Sequence, residues 1–176
     1  DNLIKTFNSI LSISKVESGT SDLDKNPVSL KELILNMHEL YEPIADADGI
    51  KFNYEVNEDI IINGNYNLLS QALANLIENA INYGCSNDNP SINVGAKKNE
   101  NLLSLWVSDN GIGIRDADKN KVLERFVRLD SSRSLKGSGL GLNLVSSAVK
   151  FHEGTLKLIN AKPSGLIMLI EIPLDS

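Results

Sequence analysis

Several features that mark other protein classes are scarce or absent in this chain of 176 residues. Its one cysteine, Cys85, has no partner within the chain, which excludes an internal disulfide and offers no metal-ligand spacing. No run approaches the roughly 18 consecutive apolar residues of a transmembrane helix. Internal repeats and low-complexity tracts are also absent from the sequence. We therefore expect one compact domain with a short appendage, in a reducing cytoplasm.

The charge balance excludes a further class of function. The 17 basic and 23 acidic residues give a net charge of -6, so the chain lacks the basic surface of a general nucleic-acid-binding protein. Its hydrophobic share of 41% is sufficient for a core and argues against disorder. Because the first residue is Asp rather than Met, we expect a soluble fragment of a longer chain, with any membrane segment outside it.

The first residues predict a helix that cannot bury its apolar stripe alone. We expect it to pair with a missing neighbouring helix or with a second copy of the chain. Glu17-Ser18-Gly19 predicts its end, so residues 1–19 form this helix, residues 20–26 a linker and residues 27–176 the domain proper. The positions that follow the helical repeat are Leu3, Ile4, Phe7, Ile10, Leu11, Ser14 and Val16.

Hydrophobic periodicity in the rest of the chain predicts an α+β fold, an α/β sandwich. A capping box at Ser29 and Glu32 begins a core helix, and a second helix begins near Tyr66. We expect a mixed sheet of about five strands, covered on one face by three helices and open to solvent on the other. The predicted strands are 51–56, 60–62, 91–97, 102–108, 154–160 and 165–173, and the later helices are 118–124 and 139–152.

The stretch N-L-I-E-N-A-I-N-Y, residues 75–83, places three carboxamides on one edge of a buried helix. At 100° per residue, Asn75, Asn79 and Asn82 fall within about 60° of one another beside the apolar stripe. Each amide offers a neutral oxygen to a hard cation and N–H donors to phosphate oxygens, which suits a magnesium-nucleotide site. Solvated asparagines on a helix edge are the alternative interpretation of this stretch alone.

Two glycine-rich motifs suit the same ligand. D-N-G-I-G-I, residues 109–114, follows a strand whose alternation directs the Asp109 carboxylate toward the core, where it can accept from an exocyclic amine. The alternative for this motif is an ordinary Asp-Asn-Gly turn. G-S-G-L-G-L, residues 137–142, opens a helix whose free N–H groups favour phosphate. It lacks the Lys and Ser/Thr of a P-loop, and no strand immediately precedes it as in a Rossmann motif.

The order of these three motifs resembles the ATP-binding catalytic domain of sensor histidine kinases. That family belongs to the GHKL superfamily, which shares the Bergerat fold with gyrase-type topoisomerases and mismatch-repair ATPases. K-V-E-S-G, residues 15–19, resembles the end of the family's dimerisation and phosphoacceptor hairpin, and residues 27–176 resemble the whole catalytic domain. E-R-F-V-R-L-D-S-S-R, residues 124–133, is similar to the phenylalanine box and ATP lid of the family.

The resemblance implies a role for each matching residue. Asn79 is the expected Mg²⁺ ligand, and Asn75 is expected to act at the metal and phosphate site as a catalytic residue. Asp109 is expected to accept from the adenine 6-amino group and so to select ATP over GTP. Arg133 is the second expected catalytic residue, stabilising charge on the γ-phosphate. The other implied nucleotide-binding residues are Asn82, Tyr83, Gly111, Gly113, Ile114, Phe126, Arg128, Gly137, Ser138, Gly139, Leu140, Gly141 and Leu142.

Two positions depart from the family pattern. Asn82 stands where the family usually carries Lys or Arg, so one phosphate-directed cation is missing, and Lys136 or Arg128 would have to compensate. His152-Glu153-Gly154 replaces the usual His-Gly-Gly before the last hairpin. We interpret the second departure as a structural substitution without catalytic meaning.

The implied function is transfer of the ATP γ-phosphate to a histidine on an upstream hairpin, for relay to an aspartate of a response-regulator receiver domain. The full-length protein is expected to be a homodimeric, membrane-bound bacterial sensor, with this domain in the cytoplasm and touching neither nucleic acid nor membrane. His38 begins a segment that superficially resembles the phosphoacceptor box, but Glu42 stands in place of Thr or Asn and the segment follows K-V-E-S-G. We therefore expect no autophosphorylation by this chain alone.

Two alternative functions remain open from the sequence. An ATP-hydrolysing conformational machine of the same superfamily generally carries a Glu general base where this chain has Asn75. Glu78, the only carboxylate near this position in the sequence, is predicted to lie on the solvent side of the helix. The second alternative is a nucleotide-binding pseudokinase that serves as an interaction module, and only an assay of turnover separates it from a kinase.

Overall fold

A computed structural model describes residues 7, 10, 11, 13, 14, 16, 23–84, 87–124 and 140–174 of the chain. Within this part no helix is long and apolar enough to cross a membrane. The helices are α1 (Leu30–Ala47), α2 (Tyr66–Tyr83), α3 (Asp116–Lys119) and α4 (Gly141–Phe151), with a 3-10 turn at Lys121–Leu123. The strands are β1 (Asn26–Ser29), β2 (Lys51–Glu55), β3 (Ile61–Gly64), β4 (Ser91–Asn99), β5 (Leu102–Asp109), β6 (Thr155–Asn160) and β7 (Leu166–Pro173).

Five of the strands form one mixed sheet in the order β2-β4-β5-β7-β6. The β2–β4 pair is parallel, and the other three pairs are antiparallel. This arrangement confirms the predicted α+β fold with a mixed sheet of about five strands. The predicted strand at residues 60–62 corresponds to β3, which lies outside this sheet and pairs antiparallel with β1.

The central strand β5 shows which face of the sheet the helices cover. Leu103, Leu105 and Val107 are fully buried, and the side chains between them are partly exposed on the opposite face. Burying each of these apolar side chains contributes about 1.5–3 kcal/mol. Asp109 continues the same phase and is 7% exposed, so the predicted inward direction of its carboxylate is confirmed.

Each of the two long helices begins with a side-chain cap. Ser29 Oγ accepts a hydrogen bond from the backbone N–H of Glu32 at 3.1 Å and starts α1, as the capping box predicts. Asn65 Oδ1 accepts from the N–H of Leu68 at 3.0 Å and starts α2. Each cap satisfies one N–H that has no partner inside the helix, which is typically worth about 1 kcal/mol. The residues that α2 buries are Leu68, Leu69, Ala72, Leu73, Leu76, Ile77 and Ala80.

The described N-terminal residues are helical and meet the domain through the buried Ile13 and the partly buried Val16 side chains. Ile13 is 4% exposed and forms a small apolar cluster with Leu140 and Leu144 at the start of α4. Phe7 and Ile10 are exposed, which leaves part of the predicted stripe uncovered. The sequence repeat did not include Ile13, because periodicity within one helix does not reveal which neighbour covers it.

Candidate nucleotide site

Helix α2 forms one side of the candidate site and packs antiparallel to α4. In the middle of α2, Asn75 approaches the first residue of α4 so closely that a Cβ at Gly141 would lie 2.9 Å from the Asn75 Oδ1 atom. At the other end of the two packed helices, where α2 begins and α4 ends, His152 Nε2 accepts a hydrogen bond from the backbone N–H of Asn65 at 2.9 Å. The Asn-bearing helix and the glycine-rich helix start are thus in direct contact.

The C-terminal end of α2 meets the D-x-G-x-G loop. A Cβ at Gly84 would overlap the Asp109 carboxyl group, and a Cβ at Gly111 would overlap the Gly84 carbonyl. Gly84 follows Asn75 by nine residues, which is about 14 Å along a helix axis. The three predicted motifs therefore lie along one helix, with the glycine-rich helix start at one junction and the Asp109 loop at the other.

The Asp109 carboxylate is held by two backbone donors on one of its oxygens. Oδ1 accepts from the N–H of Gly111 at 2.9 Å and from the N–H of Leu166 at 3.3 Å. Burial raises the pKa of Asp109 above its ordinary value, and these two hydrogen bonds oppose that rise. Among the described residues no donor is bonded to Oδ2, so this oxygen can accept from a ligand amine.

The three carboxamides of α2 are arranged differently from Asp109. Asn75 Nδ2 donates to the Gln71 carbonyl at 2.8 Å, and Asn82 Nδ2 donates to the Glu78 carbonyl at 2.7 Å. Asn79 lies between them, half-buried, and its amide makes no hydrogen bond to any described residue. With their N–H groups directed to the helix itself, Asn75 and Asn82 have oxygens that can face a ligand.

The remaining described residues of the predicted site lie around these junctions. Gly113 has a φ of 71°, a backbone conformation that favours glycine, and Ile114 follows it in contact with the last residue of β6. Tyr83, the last residue of α2, is 36% exposed, and Leu140 is buried before α4. Six predicted site residues lie outside the described residues: Phe126, Arg128, Arg133, Gly137, Ser138 and Gly139.

One sequence-based expectation near the site is wrong. Glu78 does not lie on the solvent side of α2, because the Tyr41 hydroxyl on α1 donates to its Oε1 at 3.0 Å. Burial, together with the adjacent Glu78 carboxylate, raises the pKa of Tyr41 well above its usual range. The helical angle of about 100° between Glu78 and Asn79 could not reveal that α1 packs over that side.

Residues 64–176 match the model of a family described as histidine kinase-, DNA gyrase B- and HSP90-like ATPases. The chain belongs to this family. An uncharacterised sensor-like histidine kinase of Rhizobium meliloti is 33% identical to it, over 99% of the chain and 33% of the relative. The autoinducer 2 sensor kinase/phosphatase LuxQ of Vibrio cholerae is 31% identical, over 99% of the chain and 21% of the relative. The chain therefore spans a third or less of these curated relatives.

Solved structures agree with the family match. The catalytic domain of the histidine kinase ThkA superposes with a TM-score of 0.76 at 25% identity, covering 86% of this chain and 96% of that one. The mycobacterial sensor histidine kinase MprB gives a TM-score of 0.74 at 29% identity, covering 84% of this chain and 97% of that one. The predicted identity as a histidine kinase catalytic domain of the GHKL type is confirmed.

Proposed function

We propose that this chain is the Mg-ATP-binding kinase domain of a two-component sensor, which transfers the γ-phosphate to a histidine on a separate dimerisation hairpin. The observation that carries the proposal is the pair of junctions on α2. A buried carboxylate with one open oxygen lies at the Gly84 end, Asn75 lies at the Gly141 end, and Asn79 and Asn82 lie between these two ends. This layout suits a base at one end and phosphates at the other.

At the base end, Asp109 Oδ2 accepts from the 6-amino group of adenine. Guanine carries a carbonyl oxygen at the equivalent position, and its approach to a carboxylate would be repulsive. Gly111 and Gly113 let the loop pack closely against Gly84 and Asn160 beside the proposed base, and Tyr83 flanks the base or the ribose. Asp109 therefore makes the proposed site selective for ATP.

At the phosphate end, the residues present fit a magnesium ion. No group of three or more His, Cys, Asp or Glu side chains capable of holding a metal occurs among the described residues. The Asn79 amide oxygen, with phosphate oxygens and waters, suits Mg²⁺, which usually retains several of its waters. When bound, the ion would neutralise charge on the phosphates. Asn79 is its proposed ligand, and Asn75 and Asn82 orient the phosphates.

The side chains around α2 favour phosphoryl transfer over hydrolysis. Position 75 carries an amide, which cannot remove a proton from water as a carboxylate can. Glu78, the nearby carboxylate, accepts a hydrogen bond from Tyr41 on the side of α2 that faces α1. Neither residue supplies a general base at the phosphates, so we favour the kinase over the ATP-hydrolysing machine.

The acceptor histidine is proposed to lie outside this chain. The chain has two histidines, and both are engaged within the fold. His38 is in contact with the Phe52 carbonyl at 3.1 Å and stacks on the Phe52 ring, while His152 is 4% exposed. In-line transfer requires reacting atoms within about 3–3.5 Å, which a histidine held in the core layer of the same domain cannot reach.

The partners and cellular setting follow as part of the proposal. Residues 1–19 would be the end of the phosphoacceptor hairpin, residues 20–26 a linker and residues 27–176 the catalytic domain. The exposed Phe7 and Ile10 side chains support a helical partner for the first segment. The full-length protein would be a homodimeric membrane-bound sensor with this domain in the cytoplasm, and its phosphoryl group would pass to a response-regulator receiver domain.

Phosphorylation in trans tests the proposed function. The chain is incubated with γ-labelled Mg-ATP, alone and with the hairpin that precedes it in the full-length protein. We expect acid-labile label on the hairpin histidine and none on the chain by itself. Label on His38, or an unlabelled hairpin with ATP bound to the chain, would contradict the proposal, the second outcome favouring the pseudokinase.

A further inference from the structure

The loop that carries Asp109 is attached to the C-terminal hairpin at three places. The Leu166 N–H donates to Asp109 Oδ1 at 3.3 Å, and Ser164 Oγ donates to the Asn110 carbonyl at 3.2 Å. The third attachment is Asn160, the last residue of β6. It lies outside all the motifs that the sequence suggests, and its side chain is bonded to the far end of the loop.

Asn160 binds both polar groups of one backbone residue. Its Oδ1 accepts from the N–H of Ile114 at 3.1 Å, and its Nδ2 donates to the Ile114 carbonyl at 2.8 Å. The Asn160 carboxamide thus makes the two backbone hydrogen bonds to Ile114 that a neighbouring strand would otherwise make. Because the two bonds use the oxygen and the nitrogen separately, they fix the orientation of the amide as well as its position.

The contact is close as well as bidentate. A Cβ at Gly113 would lie 2.8 Å from Asn160 Oδ1, so the preceding loop residue passes directly beside the amide. Ile112, one residue earlier, is 80% exposed and makes little apolar contact that could anchor the loop. The far end of D-N-G-I-G-I is therefore held by Asn160 and by the Ile114 side chain, which packs against the core, and its near end by the hydrogen bonds of Asp109 and Asn110.

We propose that Asn160 is a positioning residue for the base pocket, acting through Ile114 to hold Gly113 beside the ring that Asp109 recognises. This inference rests on the proposed function, because the pocket is assigned to adenine there. A binding group must be held within about 0.5 Å of its productive position, which favours support from outside the loop. Asn160 provides that support from an edge strand of the sheet, with no contact to the nucleotide.

The test compares Asn160→Ala with Asn99→Ala in the complete 176-residue chain. Asn99 is an exposed asparagine at the end of β4, and it makes no side-chain hydrogen bond within the described part of the chain. Affinities for Mg-ATP and Mg-GTP are measured by calorimetry, and exchange of the Ile114 amide by NMR. Asp109→Asn is measured in parallel as the reference for the base pocket.

We expect Asn160→Ala to lower ATP affinity about fivefold, to change GTP affinity less than about twofold and to speed exchange at Ile114, the net loss being that of one or two hydrogen bonds. Asn99→Ala should change none of these. Faster exchange with unchanged ATP affinity, or equal losses for both nucleotides, would overturn the positioning role. If Asp109→Asn leaves ATP affinity unchanged, the adenine assignment itself fails, whatever Asn160→Ala does.

Discussion

The two ends of the candidate site are built by different means. At the base end, Asp109 is fixed by backbone donors from Gly111 and Leu166, and the loop beyond it is bonded to Asn160. At the phosphate end, the described groups are side-chain amides on a helix, and that of Asn75 donates to a carbonyl of its own helix. A fixed carboxylate thus contrasts with amides that can rotate about their side-chain bonds.

This difference matches the chemistry proposed for each end. Selection of adenine depends on excluding guanine, which requires a rigid buried hydrogen-bond acceptor. Phosphates and a hydrated metal ion accept more varied geometry, and side-chain amides can follow them. We therefore expect small changes at the base end to lower ATP affinity more than similar changes at the phosphate end.

The largest effect is expected for Asp109→Asn. An amide in this semi-buried position replaces a charge-assisted hydrogen bond with a poorer one, a loss of roughly 1.5–3 kcal/mol, or about 10- to 150-fold in ATP affinity. GTP affinity should hardly change. Calorimetric titration with both nucleotides measures this, and equal losses would mean that Asp109 has a structural role only.

A pair of glycine substitutions compares the two junctions directly. A Cβ at Gly84 overlaps the Asp109 carboxyl group, whereas a Cβ at Gly141 lies 2.9 Å from the end of the rotatable Asn75 side chain. We expect Gly84→Ala to lower ATP affinity about tenfold, because overpacking displaces the acceptor. Gly141→Ala should lower it less than about threefold.

Each variant of this pair serves as the control for the other. Thermal unfolding shows whether the substitution acts on the site or on the whole domain. A larger loss of affinity for Gly141→Ala than for Gly84→Ala would reverse the comparison between a rigid base end and an adjustable phosphate end.

Asn79→Ala should remove the dependence of ATP binding on magnesium. The change deletes one amide oxygen from the proposed metal shell, and we expect a loss of about fivefold in the presence of Mg²⁺ and none in its absence. Asn67→Ala, at an exposed position in the first turn of the same helix, is the matched control. Calorimetric titrations with and without Mg²⁺ measure the effect. Metal dependence that persists in Asn79→Ala would refute the assignment of Asn79 as the Mg²⁺ ligand.

The smallest effect concerns stability and pH. His152 Nε2 accepts from the Asn65 N–H and Nδ1 donates to the Ala148 carbonyl at 2.7 Å, so the ring is neutral in the fold. Burial lowers the pKa of His152, and the charge of Lys25 lowers it further. The neutral ring stabilises the fold fully above about pH 6.5, and this contribution decreases as the pH falls toward the folded-state pKa.

We therefore expect the free energy of unfolding to decrease below about pH 6.5, by up to about 1.4 kcal/mol per pH unit from this group. His152→Gln should remove this part of the slope. His38→Gln, at the only other histidine of the sequence, should retain it. Denaturant unfolding at several pH values measures the slopes, and the same slope in His152→Gln as in the unchanged chain would exclude His152 as its source.

The sequence predicted those features that depend on local periodicity. The start of α2 near Tyr66, the five-stranded sheet and the inward phase of Asp109 all follow from spacing along one element. The order of the three motifs then predicted the family. The assignment of individual site residues remains a prediction, because it rests on resemblance and on the geometry of the described part of the chain.

The features that the sequence did not predict are contacts between distant elements. The Asn160 amide reaches Ile114 across 46 residues, and Tyr41 reaches Glu78 across 37 residues. Neither has a local pattern that distinguishes it from an ordinary surface residue. The pairing of β3 with β1 was missed for a related reason, since alternation predicts a strand but does not identify its partner.

Calorimetric titration of the wild-type chain with Mg-ATP and with Mg-GTP tests the proposed base pocket most directly. We expect 1:1 binding of ATP, at least about tenfold tighter than binding of GTP, because Asp109 offers a fixed acceptor that suits only the adenine amine. Equal affinity for the two nucleotides, or no binding of ATP, would contradict the proposed base pocket.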